Sequence, residues 1–289
     1  MRRISGSNTL DLGSGRLGYR DRNLALGQPG TVVPGTHLTD FQEEIARPIE
    51  ISGQVLDPNN REQLAEAIRR LPPGRLLRVL TFNTAGAATY TPDARMGFVR
   101  VTAIGGGGSG GGAPAGTGGN ISAGAAGGAG TVGQGVFTTV QVGASITVTV
   151  GAGGTPASGV PGGAGGTTSF GSLMTTPGGN GGGSLANATP PTHIGPAGLS
   201  AAASGANLWS GRGAAEGVTQ ALSAGGGFGG AGGRSHFGAG GSLVNFNGAA
   251  NAAVSPGSGG SGLVVAASGS IFPGGAGAPG LVIIEEFSL

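Results

Sequence analysis

Apolar positions follow a helical spacing early in the chain, then an alternating one. Over the long stretch after that they follow almost none. Residues 1–37 carry recurrent Gly and Pro without a helical period, which predicts extended or looped chain. From Thr39 the spacing turns helical: Phe41 and Ile45 share a face, and Thr39 with Gln42 has capping-box spacing. Pro48 predicts an end or a kink, because proline brings no amide to the helical ladder. A second helix is predicted in DPNNREQLAEAIRRLPPG. There Asp57 or Asn60 caps, Leu64, Ile68 and Leu71 share a face, and Pro72, Pro73 and Gly74 stop the run.

At Leu76 the period becomes two. LLRVLTF (76–82) and FVRVTAI (98–104) alternate as half-buried strands do, with NTAGAATYTPDARMG as a turn-bearing connection. VFTTVQV (136–142) and SITVTVG (145–151) flank Gly143-Ala144, which predicts a hairpin and strand over 136–150. GLVIIEEFSL predicts a final strand over 280–288, rich enough in β-branched residues to belong in a sheet. Three regions are therefore expected: an extended segment at 1–37, a two-helix collar at 38–73, and a distal domain at 74–289.

Composition explains why the pattern fades. Of 68 glycines, 57 lie beyond residue 100, where Arg212, Glu216, Arg234, Glu285 and Glu286 are the only charges. A linker of that length has too little to join. Collagen needs glycine at every third position, and GAPAGTGGNISAGAAGG keeps no such register. A calcium-binding glycine repeat needs aspartates, and none follows Asp93. Disorder is the serious rival, since ordering glycine costs more backbone entropy than ordering any other residue. Against it stand the near absence of charge and the spaced apolar residues Phe170, Leu173, Trp209, Phe228, Phe246 and Leu263. Glycine-rich chain has an ordered solution. It can run as polyproline-II-like helices, three residues per turn, which approach closely because no Cβ intervenes. The expected fold class is mainly β and irregular glycine-rich. A short N-terminal helical region precedes a β-rich, polyglycine-II-like domain stabilised partly by association with other chains.

Chemistry is scarce. Without lysine there is no Walker A motif and no Schiff base; without cysteine there is no disulfide or zinc thiolate. Gly107-x-Ser109-x-Gly111 matches a nucleophile elbow, and Gly106, Gly108 and Gly111 match a dinucleotide fingerprint. Both matches are expected by composition in so glycine-rich a chain. His37, His193 and His236 lack partners at ligand spacing, although one histidine per chain on a threefold axis stays open for His193 or His236. Glu43/Glu44, Glu285/Glu286 and Asp57/Glu62 read as solvated pairs rather than catalytic ones. No enzyme activity, cofactor or resident metal is expected. The scattered net charge of +2 argues against nucleic acid. The N-terminus lacks the apolar core of a signal peptide, and no apolar run is long enough for a membrane helix.

Three blocks carry a resemblance: GYRDRNLALGQPGTVVPGTHLTDFQEEIARPIEISGQVLDPNNREQLAEAIRRL (18–71), GRLLRVLTFNTAGAATYTPDARMGFVRVTAIGGGGSGGG (74–112) and GGAGAPGLVIIEEF (274–287). Together they resemble glycine-rich bacteriophage tail fibre proteins. The chain departs from that family's pattern at Pro48, Arg22 and TAGAATYTP. The resemblance implies a homotrimeric virion component at the tail tip or baseplate. Residues 1–37 would attach to tail or baseplate proteins, and the glycine-rich part would meet a host surface polysaccharide or outer-membrane protein. Phe41, Ile45, Leu64, Ile68 and Leu71 are the expected trimer or attachment contacts.

Aromatic and polar residues in glycine-flanked loops nominate receptor contacts, because Trp, Tyr and Arg supply area and hydrogen bonds at low entropy cost. In NLWSGR these are Trp209 and Arg212; in GRSHFG, Arg234, His236 and Phe237; in LVNFNG, Asn245 and Asn247. For each aromatic the competing reading is an internal anchor of the glycine domain. A purely structural baseplate or tail-tip component is the competing function. A secreted matrix protein fits less well, given the helical block at 38–71.

Overall fold

The computed structural model describes residues 4, 6–14, 16–70, 74–268 and 270–288. The chain separates into two units, Met1–Arg75 and Leu76–Ser288.

In the first unit, Leu10–Asp11 (β1) pairs antiparallel with Leu17–Gly18 (β2), and the helices Gly35–Ile51 (α1) and Gln63–Arg70 (α2) follow. α1 starts four residues before Thr39, with Pro34 at the cap. The Thr39 hydroxyl donates to the Gly35 carbonyl at 3.1 Å and does not cap the helix. α1 also continues through Pro48 to Ile51. Lying in the last turn, this proline forfeits a single ladder bond, and the Ser52 amide still closes on the Pro48 carbonyl at 3.0 Å. Asp57 and Asn60 form turns before α2, accepting from the amides of Asn59 and Glu62. α2 buries Gln63 and Ala67. The Gln63 amide group ties down the preceding loop, donating to the Val55 carbonyl (2.6 Å) and accepting from the Asp57 amide (2.9 Å). The stop expected at Pro72 and Pro73 lies outside the described residues.

The second unit is mainly β. Its strands are Leu76–Phe82 (β3), Gly86–Tyr90 (β4), Met96–Ile104 (β5), Ile121–Gly124 (β6), Val132–Thr138 (β7), Ile146–Val150 (β8), Thr168–Phe170 (β9), Met174–Thr176 (β10), Ser184–Ala188 (β11), Thr192–Ile194 (β12), Trp209–Gly211 (β13), Thr219–Ser223 (β14), Gly226–Gly229 (β15), Val244–Asn245 (β16), Leu263–Ala266 (β17) and Leu281–Ser288 (β18). Among the described residues, every pairing between these strands is antiparallel. The largest sheet has the order β13-β7-β5-β18-β3, so the C-terminal strand lies between the two long N-terminal ones. A second sheet, β10-β9-β8-β4, encloses the main core with it: Tyr90, Val99, Val101, Phe137, Val148, Phe170, Met174, Val282 and Ile284.

The hairpin expected over 136–150 does not form. The run VFTTVQV leaves the strand at Thr138, which caps a one-turn helix, Thr139–Val142 (α3), in a capping box with Gln141. β7 then stays in the five-stranded sheet while β8 pairs with β4 and β9. The connection NTAGAATYTPDARMG likewise contains a full strand, β4, aligned along β8.

The glycine run after β5 is the centre of the unit. Residues 101–113 and 121–133 are buried without a break. Nine consecutive amides donate to three neighbouring segments in rotation. Gly105, Gly108 and Gly111 donate to Thr131, Gly128 and Ala125. Gly106, Ser109 and Gly112 donate to Gly166, Gly163 and Val160. Gly107, Gly110 and Ala113 donate to Ala278, Gly275 and Phe272. These bonds measure 2.8–3.0 Å, and each partner recurs at every third residue. The carbonyls of Gly106, Gly107 and Gly108 accept from Gly179, Gly154 and Gly260, three further segments. The next run repeats the pattern, with Ala125, Gly128 and Thr131 donating to Gly183, Asn180 and Pro177. Such closeness requires glycine: a Cβ on Gly107 would lie 1.8 Å from the Ser258 carbonyl oxygen.

Candidate functional site

β13 is the outermost strand of the five-stranded sheet, and Trp209 opens it opposite Gln134 of β7. The Trp209 indole N–H donates to Gln134 Oε1 (3.1 Å), and Gln134 Nε2 donates to the Thr102 hydroxyl (2.8 Å). Three strands in register thus hold one aromatic ring, which remains 38% exposed. His236 lies beside it with ring centroids 5.2 Å apart, and Phe237 meets His236 edge-on at 5.3 Å.

Beyond Trp209, β13 ends at Gly211 beside a pocket of about 270 Å³, lined by residues including Arg212, Glu216, Arg234, Ser235 and His236. Arg212 is set by local backbone. Its Nε donates to the Ser200 carbonyl at 2.6 Å. Ser200 is locked to Gly213 by a backbone bond of 2.8 Å and to Thr131 by a hydroxyl contact of 2.6 Å. Arg234 faces Glu216 at 3.4 Å, with both side chains half exposed or more. Such a pair is weakly held and open to exchange.

Five of the seven expected contact residues therefore gather in one place: Trp209, Arg212, Arg234, His236 and Phe237. Phe237 faces inward, packed partly buried against Ile104, Val132 and Leu281, and acts as the anchor of this loop. Asn245 and Asn247 do not line the pocket. Asn245 sits in β16 opposite Phe228, and Asn247 holds a left-handed turn (φ 56°) that bonds to Val264 and Ala266. Gln134, Ser200 and Glu216 belong to the site and were not anticipated. Glu216 had a signal, being a lone acid four residues from Arg212 in a nearly uncharged region. Gln134 and Ser200 had none, since their partners come from other segments.

In the first unit, Phe41 is 50% exposed and Ile68 60% exposed, while Ile45 and Leu64 are half-buried. Leu71 lies outside the described residues. Among the described residues no three of His, Cys, Asp or Glu gather at metal-ligand distance, and no helix is long and apolar enough to cross a membrane.

A family model for a glycine-rich domain matches residues 83–286. No curated protein matches the chain.

Proposed function

This chain belongs to the glycine-rich domain family, and from that premise we propose that it is a bacteriophage tail fibre protein of the virion. Its N-terminal unit docks on tail or baseplate proteins, and its glycine-rich unit contacts a host surface polysaccharide or outer-membrane protein. The observation that carries this reading is the gathering of Arg212, Arg234 and His236 in the lining of one pocket, with Trp209 against His236, on a frame of backbone bonded to backbone. We read the three-residue rotation of hydrogen bonds as a polyglycine-II-like lattice. Such a lattice gives a stiff body whose loops are free to carry recognition.

Exposed apolar residues on α1 and α2 suit a homotrimer or a docking collar. Phe41 is 50% exposed and Ile68 60% exposed, and exposed apolar surface is where protein partners bind. Neither membrane insertion nor nucleic-acid binding forms part of this reading.

A purely structural tail-tip role draws on a different observation: Phe237 and Asn247, expected at the contact surface, serve internal packing and a turn. Competition separates the two readings. Purified chain in excess should block adsorption of the phage that carries it. Undiminished adsorption at saturating chain removes the receptor role and leaves the structural one.

A further inference from the structure

The pocket beside Trp209 has a definite chemical preference. Of its charged lining residues, Arg212 and Arg234 are cationic and Glu216 is the only carboxylate. Glu216 is a loose partner, 3.4 Å from Arg234 with both groups well exposed. Positive charge is therefore in excess. Guanidinium groups bind carboxylate and phosphate through a rigid planar fork, which favours those anions over a neutral hydroxyl. Arg212 is already oriented by its Nε bond to Ser200, so less freedom is lost when a ligand arrives.

The rim adds a second preference. Trp209 and His236 present two rings 5.2 Å apart, one of them pinned through Gln134 to Thr102. Exposed rings, one of them held in place, favour a flat ligand with an apolar face. The floor is made of Gly130, Gly211 and Gly213 together with Val132. A Cβ at Gly211 would have its nearest neighbour at Val132 Cγ1, 3.5 Å away, so the space above that glycine is open. At Gly213 a Cβ would meet the Ala129 carbonyl at 2.2 Å, so that wall is solid backbone. At about 270 Å³ the cavity is somewhat smaller than the roughly 300–1,000 Å³ of drug-sized sites, and suits a single ring with its substituents.

We infer that this pocket binds an anionic saccharide, the acid group on Arg212 and Arg234 and the sugar ring against Trp209 and His236. The inference deepens the receptor reading and rests on it. It also specifies the class of surface glycan: one bearing carboxylate or phosphate.

The test is calorimetric titration of the full chain at low salt with three probes: a galacturonic acid trimer, mannose 6-phosphate and neutral maltotriose. At least one anionic probe should bind at least about tenfold more tightly than maltotriose, the discrimination expected of a charged hydrogen bond. Which of the two binds distinguishes a carboxylated from a phosphorylated receptor. Arg234→Gln, which removes only a half-exposed pair, should weaken that probe at least about fivefold with an unchanged melting temperature. Gly211→Ala should weaken it by filling the floor while leaving every charge in place. Arg212→Gln should act like Arg234→Gln where its fold is retained. Equal binding of maltotriose, binding by no probe, or full affinity in both Arg234→Gln and Gly211→Ala would overturn the inference. The parent reading fails separately. Chain that blocks adsorption but ignores anionic probes keeps the adhesin and loses this site. Chain that binds the probes but does not block adsorption keeps the site and loses the adhesin.

Discussion

At the scale of single residues, two kinds of position carry the second unit. One is the buried carboxylate of Glu286, which has no exposed surface. Arg78 donates to it twice at 2.7 Å and the Tyr90 hydroxyl once at 2.6 Å. Burial and this bond together push the Tyr90 phenol well above its usual range, so it remains a donor. Removing the guanidinium would leave a buried charge with one neutral partner. Arg78→Ala should therefore cost about 3–5 kcal/mol in urea unfolding. A loss below about 1 kcal/mol would mean that water reaches Glu286. The other kind is a glycine pressed against backbone. At Gly107 an added methyl would sit 1.8 Å from the Ser258 oxygen, and a carbonyl locked in the lattice cannot move aside cheaply. Gly118 has nothing within 4 Å of its would-be Cβ. Thermal melts should show Gly107→Ala unfolded or severely destabilised, and Gly118→Ala within about 0.5 kcal/mol of the parent. Equal melting of the two variants would refute the close-packed centre.

At the scale of elements, the outward face of β5 and β18 is held by cross-strand pairs. Arg100 grips Glu285 with two bonds of 2.6 Å, and Phe98 stacks on Phe287 with ring centroids 5.0 Å apart. Hydrogen bonding from Arg100 holds the Glu285 carboxyl below its ordinary value of 4.5. Its folded pKa is depressed, so the stabilisation is present above about pH 4.5 and is lost as pH falls through the folded value. Glu285→Gln should accordingly be about 1 kcal/mol less stable at pH 7, with the two stability curves converging in acid. Parallel curves from pH 7 to pH 3 would rule out this pair as their source. Elements of this kind were legible because alternation writes itself into LLRVLTF, FVRVTAI and GLVIIEEFSL. The one-turn helix α3 was not, since its capping box Thr138–Gln141 sits inside a run that also alternates. The short strands β9 to β17 had no readable period, because glycine and alanine leave little side chain to alternate. The pocket was half legible. Residue type nominated Trp209, Arg212, Arg234 and His236, but Asn245 and Asn247 had equal claims until tertiary structure placed them elsewhere.

At the scale of the whole molecule, the question is which part needs a second copy of the chain. The glycine-rich unit was expected to rest on hydrogen-bond partners and partly on association with other chains. The second unit finds those partners within itself: every amide from Gly105 to Ala113 is bonded to another segment of the same chain. The three-residue rotation was invisible in the sequence because its partners lie up to 171 residues away, as Gly107 and Ala278 do. The nine amides of this run need no second chain for their hydrogen bonds, and in the first unit α1 and α2 leave Phe41 and Ile68 exposed. Self-association should therefore belong to the first unit. A fragment of residues 76–289 is expected to be folded and monomeric by light scattering, with the full chain a trimer. Phe41→Ser combined with Ile68→Ser should dissociate that trimer without unfolding the glycine-rich unit. Hydrogen exchange gives the independent readout. Amides at 105–113 should exchange only through global unfolding, in fragment and full chain alike, since no local opening frees a segment bonded on three sides. A fragment that is unfolded, or that exchanges these amides rapidly until the chains assemble, would put the lattice's stability back between chains rather than within one.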